Sequence, residues 1–184
     1  VWPVIFLLMS FGMGMAIATS SLISQYIGAK QQDKAKRVAG QALSFLGVLA
    51  LVLGALGVLL SPSIVRWMGA SGSLYDNGVS YLSIMFAGLP TMFLMNAYNA
   101  IKQGQGDTMS PLIIGALSVG TNMILDPIFI FTFGWGIKGA AYATVLSTGL
   151  FALYGLFTIF KGSHGIKLSL SDLKWRRDIL SQIV

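Results

Sequence analysis

Long uncharged stretches separated by short polar connections dominate the pattern along the chain. Four stretches carry no charged residue, and a fifth is interrupted only by Asp126. The five stretches are residues 1–29, 38–65, 77–101, 108–133 and 139–160. Each is near or above the ~20 residues that a helix needs to cross a bilayer. They show no two-residue alternation of the kind that marks barrel strands. The pattern therefore predicts five transmembrane helices.

Composition supports an all-α, polytopic membrane helix bundle. Of 184 residues, 55% are hydrophobic and 10% are charged, and the mean hydropathy is +0.76. Soluble domains carry about 25% charged residues, so lipid is the natural solvent for this chain. There is no cysteine, which excludes disulfides, thiolate zinc sites and thiol nucleophiles. The first residue is not Met and the start is already apolar, so we expect a piece of a longer protein.

The pattern divides the chain into two parts. Residues 1–160 are predicted to form the five-helix bundle, as part of a larger lobe. Residues 161–184 are polar and basic, and we expect a cytoplasmic linker leading toward a further helix, with a surface helix from Asp172 onward. His164 is expected to be solvent-exposed in this linker.

The distribution of Lys and Arg predicts the orientation in the membrane. When the loops are assigned alternately to two sides, ten basic residues fall on one side and only Arg66 and Lys138 on the other. Cytoplasmic loops carry the excess of Lys and Arg, so the ten are predicted to be cytoplasmic. We therefore expect a multi-pass protein of the plasma (inner) membrane. Nucleic-acid binding would explain the net charge of +6 but not its alternation, so no nucleic-acid partner is expected.

Asp126 is the most informative residue because it lies within an apolar run. A carboxylate in hydrocarbon costs roughly 2.5–3.5 kcal/mol on insertion scales, so a partner, water, a cation or a proton must offset that cost. Asn122 lies one helical turn before it, on the same face. Pro127 cannot donate to the carbonyl of Met123, which leaves a free backbone oxygen. Thr144 is predicted at a similar depth on the next helix.

These groups predict a coupling site for a cation or a proton. Carboxylate, amide, hydroxyl and carbonyl oxygens suit a hard cation such as Na⁺, so Asp126, Asn122 and Thr144 are the expected ligands. The carboxylate could carry a proton instead, and the residues do not choose between the two. A purely structural Asp126 is the alternative. Tyr81, Asn96 and Asn99 are further polar residues of the third run, for which anchoring or inter-helix hydrogen bonding is an equal explanation.

The sequence matches no known catalytic motif, so an enzyme is not expected. The sequence offers no Ser, His and Asp order, no carboxylate pair and no cluster of His with acidic residues. The glycines of residues 102–107 (K-Q-G-Q-G-D) do not follow a strand, so they are not a phosphate-binding loop.

Four motifs together resemble those of multidrug and toxic compound extrusion transporters. The motifs are S-Q-Y-I-G-A-K at 24–30, A-I-K-Q-G-Q-G-D-T at 100–108, N-M-I-L-D-P at 122–127 and G-I-K-G-A-A-Y-A-T at 136–144. Each motif is weak alone, but all four occur in order and with the expected spacing. The resemblance covers essentially the whole chain.

The resemblance implies a fold of twelve helices in two lobes, of which this chain is helices two to six. It implies cation-coupled antiport, in which Na⁺ or H⁺ enters while an organic and often cationic compound leaves. By motif position Asp126 is the coupling carboxylate, Asn122 and Thr144 are its co-ligands, and Tyr81 and Asn96 belong to a supporting polar network. The coupling ion is the only cofactor implied, and the partners are the organic substrate, the lipid bilayer and the C-terminal lobe. This part of the protein alone is not expected to transport.

Other functions stay open at this stage. A lipid-linked sugar flippase of the same superfamily would need more basic residues around its cavity, and no Lys or Arg is expected inside a span. A non-transporting membrane scaffold would tolerate Asn in place of Asp126. An intramembrane enzyme is the least favoured.

Overall fold

The chain folds as a bundle of helices. The computed structural model describes residues 2–162, 168, 169 and 172, and the side chains of residues 2–5, 7–9 and 11 lie outside the described ones. The elements are α1 (Trp2–Gly28), α2 (Gln32–Trp67), α3 (Gly72–Ala87), α4 (Leu89–Gly104), α5 (Met109–Pro127), the π-helical turn η1 (Ile128–Thr132) and α6 (Gly136–Lys161). No strand occurs among the described residues, and the predicted all-α class is confirmed.

Several of these helices satisfy the requirements for crossing a membrane. Within the described residues, α2, α5 with η1, and α6 are each long and apolar enough, and α3 with α4 would make a fourth span as a bent pair. α1 has 27 residues and is about 40 Å long at ~1.5 Å per residue. The five predicted runs thus coincide with α1, α2, α3 plus α4, α5 plus η1, and α6.

The third run differs from the expectation of one continuous helix. The chain breaks at Gly88, and α3 and α4 are bent by 41° relative to each other. Pro90 lies in the first turn of α4, where its missing N–H removes no intrahelical bond. The same residue cannot continue α3, because proline lacks the donor that an interior turn needs. The expected single helix is therefore wrong at this point.

The predicted connections are shorter than expected because the helices extend into them. α2 runs for 36 residues and extends beyond the uncharged run 38–65 by six residues at its start and two at its end. Lys34, Lys36 and Arg37, expected in a loop, lie in its first turns. Arg66 closes its last turn, where a cation interacts favourably with the helix dipole. Charged residues thus end the apolar run without ending the helix.

α4 forms the centre of the bundle. It packs against α1, α2 and α6, and its side chains Phe93, Tyr98 and Ile101 are at most 1% exposed. α5 is peripheral, since it packs mainly against α6 and η1 and has few buried residues. Buried residues occur on every side of α4, as expected of a helix that is surrounded by other helices.

The predicted linker, residues 161–184, lies mostly outside the described residues, and so do its surface helix and His164. Its described members lie against the bundle. Leu168 is 1% exposed, and its N–H donates to the carbonyl of Ile159 at 3.4 Å. The carboxylate of Asp172 accepts hydrogen bonds from the N–H and the hydroxyl of Ser169 at 2.9 and 3.1 Å. The backbone of Asp172 contacts Gly40 of α2.

The connection between α4 and α5 is fixed by Asp107. Its carboxylate accepts hydrogen bonds from the hydroxyl and the N–H of Ser110, at 2.6 and 2.9 Å, and so caps the start of α5. Lys102, whose side chain is 4% exposed, lies 3.4 Å from the same carboxylate. The Ser110 hydrogen bonds and the neighbouring Lys102 ammonium lower the pKa of Asp107.

At Gly54, α2 packs closely against the end of α3, near the break at Gly88. A Cβ at this position would lie 2.7 Å from the carbonyl oxygen of Phe86. Backbone cannot move aside as a flexible side chain can, so glycine is required there. Gly47, two turns earlier in α2, has its nearest neighbour at 3.9 Å, from Leu94. Small residues allow such close approach between membrane helices.

We expect Gly54→Ala to destabilise the protein by about 1–3 kcal/mol, the range for overpacking. The measurement is thermal unfolding in detergent of the full-length protein that carries this chain. Gly47→Ala is the matched control and should leave the midpoint nearly unchanged. Equal midpoints for both variants would contradict the close contact.

The capping carboxylate predicts a pH dependence. Because the folded pKa of Asp107 is lowered, its stabilising contribution is complete above the unfolded value of about 3.9 and is lost as the pH falls through the folded pKa. Asp107→Asn should therefore be less stable than wild type near neutral pH, with the difference shrinking below about pH 4. Thermal unfolding across pH measures this. Asp33→Asn, at a carboxylate 89% exposed, is the control, and a constant difference for Asp107→Asn would contradict the prediction.

Candidate functional site

The structure brings Asp126, Asn122 and Thr144 together. The side-chain amide of Asn122 donates toward the Asp126 carboxylate at 3.5 Å, within α5. The same nitrogen donates to the hydroxyl oxygen of Thr144 on α6 at 3.4 Å. All three side chains are half-buried. The grouping predicted from spacing is therefore present, and the amide of Asn122 bridges the two helices.

The orientation of Thr144 suits an oxygen site. Its hydroxyl proton is donated to the carbonyl of Ala140 at 3.0 Å, so the lone pairs of the oxygen point away from its own helix toward Asn122. Both contacts of the Asn122 nitrogen are long for hydrogen bonds. A half-turn of the amide would exchange its nitrogen for its oxygen. Carboxylate, amide and hydroxyl oxygens would then converge on one point, as a hard cation requires.

The backbone near Asp126 departs from the α-helix. Pro127 ends α5, and the next residues form the π-helical turn η1. The N–H of Ile128 donates to Leu125, three residues back, and that of Phe133 donates to Ile128, five residues back, at 3.0 Å. Pro127 leaves the carbonyl of Met123 without its helical donor, as the sequence predicted. The π turn was not predicted; such turns are often found at functional sites.

Gly139 sets the position of α6 against this turn. A Cβ at Gly139 would lie 2.7 Å from the carbonyl carbon and oxygen of Phe129, so any larger residue would push α6 away from η1. Thr144 lies five residues further along the same helix. The close approach of two backbones thus places the Thr144 hydroxyl within reach of Asn122.

Tyr81 and Asn96 are placed elsewhere in the bundle. Tyr81 packs against a small cluster formed by Met85, Met92 and Ala141. The amide nitrogen of Asn96 lies beside Gly12 of α1. No hydrogen bond joins either side chain to Asp126, Asn122 or Thr144 in the described part of the chain, and the supporting role of Tyr81 and Asn96 stays a prediction. Asn99 has a buried side-chain oxygen without a hydrogen-bond partner among the described residues.

A cavity of about 600 Å³ lies between α4, α5 and α6, near the end of α4. It is lined by Tyr98, Lys102, Ser110, Ile113, Ile114, Leu117, Phe151, Tyr154 and Thr158. Lys102, the first residue after the third uncharged run, lies in the last turn of α4 and contributes a buried side chain to the lining. The ammonium of Lys102 is paired with the carboxylate of Asp107 at 3.4 Å. Its charge is therefore already balanced and gives little support for an anionic substrate in this cavity.

The candidate site contains one carboxylate. Among the described residues, no three His, Cys, Asp or Glu side chains gather into a metal-binding group. One negative charge balances one proton or one monovalent cation. The roles assigned to Asp126, Asn122 and Thr144 therefore remain predictions that the geometry permits.

Comparison with known proteins shows relatives of one kind. The sequence profile of the MatE family matches residues 1–128. The probable multidrug resistance protein YoeA of Bacillus subtilis is 38% identical over 151 residues, which are 80% of this chain and 33% of that protein. The multidrug export protein MepA of Staphylococcus aureus is 32% identical over 183 residues, or 98% of this chain and 40% of that protein. The chain thus spans about a third to two fifths of these relatives.

Solved structures of similar proteins share the fold. An outward-facing multidrug resistance MATE family transporter of the MOP superfamily matches with a TM-score of 0.93 at 32% identity, covering 99% of this chain and 41% of that one. An inward-facing structure matches with a TM-score of 0.87 at 32% identity, covering 94% and 39%. Family profile, relatives and structures agree with the resemblance seen in the four sequence motifs. This multi-pass membrane chain belongs to the MatE family.

Proposed function

We propose that this chain is the part of a cation-coupled antiporter that holds the coupling site for Na⁺ or H⁺, and that the whole protein exports drugs or other organic compounds. Relatives bearing the names multidrug resistance protein and multidrug export protein support the export activity. The observation that carries the coupling role is the Asn122 amide bridging the carboxylate of α5 and the hydroxyl of α6.

The site can exchange one positive charge for another. A Na⁺ ion would take the place that the Asn122 amide nitrogen holds between the Asp126 and Thr144 oxygens, with the carbonyl of Met123 available on the same turn. A proton would instead neutralise Asp126 directly. Either event removes a net negative charge from a low-dielectric region, where such charge is expensive.

Charge exchange at Asp126 gives a basis for antiport. A cationic compound and the coupling ion would compete for the same carboxylate, so that binding of one favours release of the other. A ligand shifts a conformational equilibrium only through its differential affinity for the two states. In the whole protein, rocking of two lobes around the site would open it alternately to the two sides of the membrane. This bundle would belong to one lobe, and the C-terminal lobe would be the other.

The proposed setting is the plasma (inner) membrane with the basic loops in the cytoplasm. The ten-to-two distribution of Lys and Arg supports this orientation. The end of α5 carrying Asp126 and the start of α6 then lie toward the outer side. The coupling ion would reach Asp126 from that side, down its gradient.

Asp126→Asn should strongly reduce export, because an amide neither takes up a proton near neutral pH nor carries the negative charge that balances a bound cation. The full-length protein carrying this chain would be expressed in drug-sensitive cells, and efflux of a fluorescent cationic dye would be measured at matched membrane expression. We expect the export rate to fall at least about tenfold, the effect of roughly 1.4 kcal/mol or more.

Asp76→Asn is the matched control, since Asp76 is an exposed carboxylate of α3 and should leave export unchanged. Undiminished export by Asp126→Asn would refute the coupling role and leave the residue structural. Absence of dye export in wild type as well would favour a flippase or a scaffold over a drug exporter.

Thr144→Val tests which ion couples. The change keeps the shape of the side chain and removes the hydroxyl oxygen. If Na⁺ is the coupling ion, losing one oxygen ligand should raise the Na⁺ concentration for half-maximal export by about tenfold, the scale of one charge-assisted contact. Initial export rates across a series of Na⁺ concentrations at fixed pH measure this.

Thr158→Val provides the control on the same helix, because its hydroxyl donates to the carbonyl of Gly155 at 2.6 Å far from Asp126. A shift for Thr144→Val alone supports Na⁺ ligation by Thr144. Export that ignores Na⁺ in wild type but follows the pH gradient would assign the coupling to protons and remove Thr144 from the ligand set.

A further inference from the structure

A second cleft, of about 760 Å³, opens where α3, η1 and the start of α6 meet. It is distinct from the candidate coupling site. The cleft is lined by Asn77, Phe129, Phe133, Gly134, Trp135, Lys138, Tyr142 and Leu146. Most of its lining is aromatic or aliphatic, with one cation and one amide.

The cleft faces away from Thr144. Tyr142 and Leu146 each lie two residues from Thr144 along α6, and successive helical residues are turned by ~100°, which places both on the opposite side of the helix. Tyr142 is 42% exposed and Leu146 is 52% exposed. This side of α6 is therefore not covered by the other described helices of this chain.

Four rings form one continuous wall of the cleft. Phe129 and Phe133 stack with centroids 5.6 Å apart, and Trp135 lies 5.4 Å from Phe129 and 5.3 Å from Phe133. Trp135 also meets the edge of Tyr142 at 5.6 Å. Trp135 and Tyr142 each combine an apolar ring with one polar group, and such side chains collect where hydrocarbon meets headgroups. The wall is thus an apolar surface that ends at the interface.

Lys138 supplies the charge at this end. It lies in the first turn of α6, and it is one of only two basic residues on the side predicted to be external. No carboxylate of the described residues lies within ion-pair distance of it. A cation at the rim of an apolar cleft fits an amphiphile that has an anionic head and an apolar chain.

We propose that this cleft binds an anionic phospholipid of the adjacent leaflet, with its phosphate at Lys138 and an acyl chain along the aromatic wall. An organic cation would be repelled by Lys138, and a free anion would make no use of the apolar aromatic wall. Of the ligands present in a membrane, an anionic lipid satisfies both parts of the cleft.

Such a lipid would also contact the coupling region. Phe129 belongs to η1, which follows Asp126 and Pro127 directly, and its backbone meets Gly139 of α6. A bound acyl chain would thereby support the junction that holds Thr144 beside Asn122. This consequence rests on the proposed coupling function, whereas lipid binding itself does not.

The test is lipid retention by the full-length protein carrying this chain. Purified protein would be incubated with vesicles of phosphatidylglycerol or phosphatidylcholine, and the lipids kept after detergent transfer would be counted by native mass spectrometry. Wild type should retain phosphatidylglycerol in preference. Lys138→Gln should weaken that retention about fivefold, the effect of one Lys near an anionic surface, and should leave phosphatidylcholine unaffected.

Two variants control the experiment. Arg66→Gln removes the other external cation, which lies over the ring of Tyr75, and should retain phosphatidylglycerol as wild type does. Leu146→Trp should fill the cleft and lower retention of both lipids while the protein still elutes as a single species. Equal retention of the two lipids by wild type, or unchanged phosphatidylglycerol retention by Lys138→Gln, would overturn the proposal. Displacement of the lipid by inorganic phosphate alone would overturn the role of the aromatic wall.

Discussion

The absence of water from the hydrocarbon core is the constraint on which the rest of this structure depends. Backbone N–H and C=O groups must be paired within each segment, so the apolar runs become helices wherever the chain crosses lipid. The same constraint makes every departure from the helix expensive. Two such departures occur among the described residues, at Gly88 and at Pro127 with η1. Each lies in close contact with α6, through Val145 at Gly88 and through Gly139 at η1.

Glycine and proline cooperate in building the candidate site. Pro127 interrupts the hydrogen-bond pattern of α5 and is followed by η1. Gly139 lets α6 pack closely against that turn, since a Cβ at this position would lie only 2.7 Å from the carbonyl of Phe129. Together they bring Thr144 to the Asn122 amide at 3.4 Å. The polar groups are therefore held by backbone geometry rather than by the strength of their own hydrogen bonds.

The two faces of α6 have different chemistry. One face carries Thr144 toward α5 and Asp126, and the opposite face presents Tyr142 and Leu146 to an aromatic cleft closed by Lys138. η1 is shared by both, since it follows Asp126 and contributes Phe129 to the cleft.

The sequence by itself determined the class, the five apolar segments, the asymmetry of basic residues and the family, because hydropathy, charge and motif order are local properties. It also predicted that Asn122 and Asp126 share a face, which follows from helical spacing alone. Only the tertiary structure decided the bend at Gly88, the π turn after Pro127, the docking of Leu168 and Asp172 against the bundle, and the aromatic cleft. These depend on how closely separate helices approach, and backbone contacts such as that of Gly139 with Phe129 leave no periodic signal in the sequence.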